Sequence, residues 1–273
     1  MTGVLAAATP TNCTVDSSHL FNGCGYPAPG LQNFQFKPLF TIGSWGFTKP
    51  ELVAILCVLA VITFFWAAFH KPKMIPGRTQ SLGELAILAV RDQILRPVLG
   101  KKGDAYLPFI ASLFFFILVM NLMELIPVFQ FPAMSRIGFV FPLVAVMYVL
   151  YWYQGIKTKG LFGYLKSWIP SGVPAFILVI LIPVEIAKYI IIQPATLGIR
   201  LFANMFAGHL LLTIFMLATW YMAGLSVGLL YAAGSLFMVF FVFLLELLVG
   251  LLQAFIFTTL ISTYLADSLE HGH

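Results

Sequence analysis

Between positions 226 and 266 the chain runs for 41 almost wholly apolar residues with a single charged one, Glu246, and from 229 to 265 it holds no proline and no loop-like cluster. As one helix that stretch is about 62 Å long at ~1.5 Å per residue, roughly twice the ~30 Å hydrocarbon core of a bilayer. Two upright spans need a turn between them, and none is written there. A steeply tilted helix accommodates the excess. The preceding stretch, 173–222, is nearly as apolar, is punctuated by Pro183 and Pro194, and is parted from the last one by small residues around 224–228. The pair predicts a long hairpin over about 173–266, strongly inclined to the membrane normal.

Composition agrees with a bilayer. Of 273 residues 60% are hydrophobic and 9% charged, more apolar surface than a water-soluble fold can hide. Apolar runs at 52–69, 107–131 and 137–153 add three spans, so the expectation is an all-α membrane protein with five membrane-crossing helices. Segment 77–100 differs: Leu82, Leu85, Ile87, Leu88, Leu95 and Val98 mix with Glu84, Arg91, Asp92, Gln93 and Arg96. That mixture predicts an amphipathic helix at about 78–100 on the cytoplasmic surface.

Lysines and arginines cluster at 71–102 and 157–166, whereas the first 48 residues hold one lysine, Lys37, and no arginine. By the positive-inside rule these clusters are cytoplasmic loops, not nucleic-acid patches, and the amino terminus is extracytoplasmic. Five crossings then place the carboxyl terminus in the cytoplasm. The chain divides into an extracytoplasmic segment, 1–49, and a membrane-embedded helical domain, 50–273. The start of the chain lacks the basic region of a cleavable signal. Cys13 and Cys24 lie in the outward segment, where a disulfide is chemically possible and two free thiols are equally open. Cys57 suits ordinary packing, and Tyr151-Trp-Tyr153 suits an interfacial aromatic belt.

Ionisable residues inside the last two apolar segments are Glu185, Lys188, Arg200, His209 and Glu246. An arginine at the bilayer centre costs ~2.5–3.5 kcal/mol on insertion scales, so it faces a partner or a wet cavity. It keeps its proton, so it supplies a fixed charge and not a relay. At ~100° per residue Gln193, Thr196, Arg200, Asn204 and Ala207 fall within about 40° of one direction, while His209 projects to the opposite side. Glu246, Gly250 and Gln253 share a face of the last helix, where the glycine leaves room for water or a close neighbour. Plainer roles are available to each. Arg200 is able to pair with Glu246 or Glu185, Glu185 with Lys188 three residues on, and His209 to sit satisfied in the interior. Asn121, Asn204 and Gln253 suit interhelical amide contacts, and Glu124 lies near a predicted interface where it is readily solvated.

Leu197-Gly-Ile-Arg-Leu-Phe-Ala-Asn-Met-Phe-Ala-Gly-His209 and Leu252-Gln-Ala-Phe-Ile-Phe257 closely resemble the signature segments of the subunit a family of F-type ATP synthases. Asn121-Leu-Met-Glu-Leu-Ile-Pro127 and Gly155-Ile-Lys-Thr-Lys-Gly160 resemble that family too. The resemblance covers the chain from about 52 to its end and nothing of 1–49. It implies a stator hairpin against a rotating ring of c subunits, held with peripheral-stalk b-type subunits in a bacterial plasma membrane or other energy-coupling membrane. Arg200 then stands opposite the ring carboxylates with Asn204 as its neighbouring amide. His209 and Glu246 resemble the paired polar positions of the outer proton channel, lined by Gln253, Asn121 and Glu124. Their order is reversed relative to many bacterial members and matches mitochondrial ones. Glu185 resembles a carboxylate of the cytoplasmic half-channel.

The chemistry is coherent. One charge crossing 100 mV releases ~2.3 kcal/mol, so a straight leak wastes the gradient. A guanidinium between two offset water paths repels free protons and favours the ionised form of an approaching carboxyl. An imidazole titrates near neutrality and a desolvated carboxyl moves toward it, so a His–Glu pair suits a relay. Against a self-contained secondary transporter stands the absence of repeated halves or paired broken helices. Against an intramembrane enzyme stands the lack of an Asp-rich or His-Glu-x-x-His metal motif. With no glycine-rich phosphate loop, no nucleotide site, cofactor or metal is expected.

Overall fold

The computed structural model describes residues 40–42, 45–126, 134, 137–168, 174–222 and 227–269. Cys13, Cys24 and most of segment 1–49 lie outside the described residues. The rest falls into two compact units: the described residues of Lys37–Phe206 and Leu247–His273 form the larger, those of Ala207–Glu246 the smaller.

Nearly everything is helix, because in lipid a backbone has only itself to bond. A short antiparallel pair, β1 (Phe40–Ile42) and β2 (Trp45–Phe47), precedes the helices, with Thr41 opposite Gly46. Helix α1 (Lys49–Phe69) begins where the Thr48 N–H donates to the Glu51 carboxylate at 2.6 Å, with Pro50 in its first turn. A proline costs nothing there, since first-turn N–H groups have no helical partner.

The expected surface helix proves to be a broken one. Helix α2 (Arg78–Val90) passes into a π-helical turn (Arg91–Leu95), then α3 (Arg96–Leu99) and a 3-10 segment (Gly100–Tyr106). Val90, Ile94 and Leu95 are buried, and Arg96 on the exposed side pairs with Asp92 at 3.6 Å and Asp104 at 3.2 Å. Exposed pairs of this kind add little stability, so the inward apolar residues do the anchoring.

Helix α4 (Leu107–Leu125) stops short of the predicted 131, with the Ile126 N–H donating to the Met123 carbonyl. Helix α5 (Ile137–Lys159) outruns the predicted 153 and carries its basic residues, Lys157 and Lys159, in its last turn, where they complement the helix dipole. Gly160, at φ +72°, turns the chain into α6 (Leu161–Lys166). A Cβ at Gly155 would fall on the Tyr164 ring, so glycine there seats α6 against α5. We expect Gly155→Ala to overpack this contact at a cost of about 1–3 kcal/mol, read as a lower melting temperature in detergent; an unchanged melting temperature would show that α6 yields freely.

The penultimate element runs through three pieces without a break: α7 (Ala175–Ala187), a π-helical turn (Lys188–Ile192) and α8 (Gln193–Met222). The turn has a cause in Pro194, which lacks an N–H and crowds the carbonyl four residues back; a widened turn relieves that crowding. Helix α9 (Val227–Leu269) is a single helix of 43 residues, about 64 Å at ~1.5 Å each. Within the smaller unit Ser235 Oγ donates to the Phe215 carbonyl at 2.8 Å. Within the larger, Asn204 bonds Gln253. Each contact joins α8 to α9 within its own unit. Five helices among the described residues are long and apolar enough to cross a membrane.

The larger unit's core joins Ile110, Ile117 and Met120 of α4, Val140 and Val144 of α5, Leu197, Leu201 and Met205 of α8, and Ala254, Phe257 and Ile261 of α9. Gly198 lies against Val140 and Val144, the small-residue contact that lets membrane helices approach. The aromatic-belt expectation needs correction. Tyr153 is exposed, but Tyr151 is buried and Trp152 half-buried, because successive residues on a helix face different ways.

Candidate functional site

Helix α8 turns Leu197, Leu201 and Met205 into the core. The polar stripe lies off that buried face: Gln193 and Arg200 are half-buried, and Thr196, Asn204 and Ala207 are exposed. Arg200 takes no part in any ion pair or side-chain hydrogen bond found among the described residues. Of the carboxylates weighed for it, Glu185 is engaged elsewhere. Lys188 Nζ donates to Glu185 at 2.6 Å; both Glu246 carboxylate oxygens are without a hydrogen-bonding partner among the described residues. A permanent charge in a membrane helix with no ion pair among the described residues faces a partner or a water-filled cavity.

Asn204 Nδ2 donates to Gln253 Oε1 at 2.8 Å, which brings two predicted site residues together one turn from Arg200. Gln253 is 3% exposed and its Nε2 is left without an acceptor among the described residues. Asn121 Nδ2 donates to the Gly250 carbonyl at 2.8 Å, leaving Asn121 Oδ1 buried and unbonded. A spare donor and a spare acceptor in one buried polar patch are the partners a water needs. Glu124, one turn along α4 from Asn121, is 7% exposed, so it is buried and not solvated at an interface. Gly250 serves as the close-neighbour site: a Cβ there would come 3.1 Å from Asn121 Cβ. We expect Asn121→Ala to loosen α4 against α9 by about 0.6–1.7 kcal/mol, the span found for interhelical hydrogen bonds, read as a lower melting temperature in detergent. No change would reduce the bond to an incidental contact.

In the smaller unit Glu246 rests on Gly208: a Cβ at that glycine would fall on the carboxylate. His209, the next residue, is half-buried. Sequence reasoning paired His209 with Glu246 but missed Gly208, whose only sequence signal is a small residue next to the histidine. Glu185 is engaged by Lys188, which also lies 4.6 Å over the Tyr189 ring. Among the described residues no group of three or more His, Cys, Asp or Glu side chains is arranged to hold a metal.

A sequence profile described as ATP synthase A chain matches residues 52–266. A protein named ATP synthase subunit a from Streptomyces lividans is 39% identical, with 99% of this chain and 98% of that protein covered. One from Frankia alni is 38% identical over 91% of this chain and 88% of its own length. A third, from a Nocardioides species, is 39% identical over 92% and 96%. Arg200, Asn204, His209, Glu246 and Gln253 all lie within the matched span. Carried on five apolar helices, this chain is a multi-pass membrane protein and belongs to the ATP synthase A chain family.

Proposed function

We propose that this chain is the stator of a rotary F-type ATP synthase, non-catalytic itself, and that it conducts protons to and from the carboxylates of a c-subunit ring through two offset half-channels. The observation that carries this is Arg200, a fixed cation off the buried face of α8 that forms no ion pair among the described residues. A ring carboxyl arriving opposite a guanidinium is held ionised. It gives its proton to one half-channel there and takes another from the opposite half-channel after nearly a full turn, crossing lipid neutral in between. Because the guanidinium never releases its proton, no proton passes straight from one side to the other.

His209 and Glu246 are assigned to the outer half-channel, and so, as the family resemblance implies, are Asn121, Gln253, Asn204 and Glu124. Glu246 supports this role because a buried carboxyl without a hydrogen-bonding donor is costly unless it holds a proton or reaches water. Glu185 is the carboxylate of the cytoplasmic half-channel, tethered by Lys188. The amino terminus is extracytoplasmic and the carboxyl terminus cytoplasmic. The last hairpin, about 173–266, lies steeply inclined against the ring, and b-type subunits of the peripheral stalk hold the chain in place. Purification in mild detergent tests the assignment: the chain should co-purify with a c ring and a peripheral catalytic head. A chain that moves ions alone, with neither attached, would contradict it.

A further inference from the structure

Between Glu51 and Glu84 the chain carries no acidic residue, yet it places Lys71, Lys73 and Arg78 at the turn from α1 into α2. All three are exposed, and none enters an ion pair among the described residues. Arg91 and Arg96, past the far end of α2, are answered by Asp92 and Asp104. The turn has no such answer. Glu84, the nearest acid along the chain, accepts instead from Gln80 Nε2 at 2.8 Å.

The turn is held in shape. Gln80 reaches back from α2 to clasp the backbone of Lys73 from both sides: its Oε1 accepts from the Lys73 N–H at 3.0 Å and its Nε2 donates to the Lys73 carbonyl at 3.1 Å. Pro72 and Pro76 fix the backbone on either side of the tip. What the clasp presents is Met74 and Ile75, the two most exposed of the large apolar side chains at this end of the chain. Loop tips are ordinarily polar, and two such side chains side by side in water are costly.

Helix α2 repeats the pattern. Gly83 packs on Ala68 and Phe69 in the last turn of α1, and Val90 is buried with it. The other side should then be polar, but Leu82 and Leu85 stand more than half exposed there, with Arg78 and Ala89 on the same side. Trp66, on the last turn of α1, is also well exposed. An indole on the outer face of a spanning helix, one turn from its end, sits at the level of the lipid headgroups. The apolar tip and the leucines of α2 therefore lie beside three uncompensated cations at that depth.

We infer that this turn and the outward side of α2 form a seat for anionic phospholipid, with acyl chain against Met74, Ile75, Leu82 and Leu85 and the headgroup phosphate held by Lys71, Lys73 and Arg78. The long stems of the three basic residues let their charges reach the headgroups while the stems stay on apolar surface. Net charge decides the preference: a zwitterionic headgroup cancels its own phosphate, whereas an anionic one brings an unbalanced charge to three cations. An acidic segment of another protein would also answer the charges, but the depth marked by Trp66 favours lipid. The seat goes beyond the conduction role and stands without it.

The test uses the assembled complex in nanodiscs of equal parts dioleoyl phosphatidylglycerol and dioleoyl phosphatidylcholine, which share acyl chains and differ in net charge. A benzophenone amino acid in place of Met74 captures on irradiation whatever lies against the tip. The same group in place of Leu59, exposed halfway along α1, reports the bulk bilayer. Mass spectrometry reads each adduct by headgroup. One cation near an anionic surface is worth a factor of about five, so we expect phosphatidylglycerol enriched about fivefold or more at position 74 over position 59. Lys71→Gln with Lys73→Gln and Arg78→Gln returns the ratio to that of position 59, and raised salt lowers it. Equal ratios at the two positions in the unaltered chain overturn the proposal, and so does an enrichment that survives the triple substitution. Capture of a neighbouring subunit at position 74 in place of lipid overturns it too and marks the tip as a protein contact. Should the triple variant not assemble, Lys73→Gln alone is read the same way: a partial fall supports the seat and no fall overturns it.

Discussion

Arg200→Ala, introduced into the intact complex and reconstituted in vesicles, abolishes ATP-driven proton pumping. The size of the effect follows from the charge alone. An adjacent arginine lowers a carboxyl pKa by about 1–3 units, and at ~1.36 kcal/mol per unit its removal shifts the ionised fraction of an arriving ring carboxyl about 10- to 1,000-fold. The barrier goes with it, since nothing then opposes a proton passing directly between the two water paths, so passive leak accompanies the loss. Arg200→Lys keeps the charge but loses the planar fork and, unlike arginine, is able to deprotonate when desolvated; it recovers only part of the coupling. Coupled pumping at the unaltered rate in the alanine variant would remove Arg200 from the mechanism.

Glu246→Leu slows proton flux about 100-fold, toward the low end of what a positioned proton-transfer group supplies, while the complex still assembles. Assembly survives because the change removes a buried carboxyl that has no hydrogen-bonding partner among the described residues and leaves an apolar side chain against Gly208. Glu246→Gln separates chemistry from packing. It keeps the shape and polarity but cannot titrate, so it is as slow as the leucine variant if proton transfer is the point. Flux unchanged at several pH values in both variants would reduce Glu246 to a packing residue.

Much of the fold was legible because lipid restricts the options. A run that must bond its own backbone is helical, and so 52–69 and 137–153 lie within α1 and α5. The stripe on α8 was legible for a related reason: it is regular α-helix from Gln193 onward, so a 100° step places Arg200 and Asn204 correctly. Glu185 with Lys188 was readable as a three-residue spacing. What escaped were contacts set by tertiary approach. Asn121 bonds a carbonyl 129 residues away, and nothing local to either residue announces it. The seats of Tyr164 on Gly155 and of Glu246 on Gly208 depend on how closely two backbones come. Tyr151 was taken for a belt residue because composition records that an aromatic is present but not which way it faces. The π-helical turns likewise leave no trace in hydropathy, although Pro194 marks where one is needed.

The central claim is that Arg200 faces a moving partner and not its own chain. A density map of the assembled complex at side-chain resolution tests it most directly. The account predicts the guanidinium on the ring-facing side of α8, opposite a c-subunit carboxyl, with solvent approaching from each side by separate routes. A guanidinium turned inward into an ion pair within this chain, with no ring subunit beside α8, would contradict it.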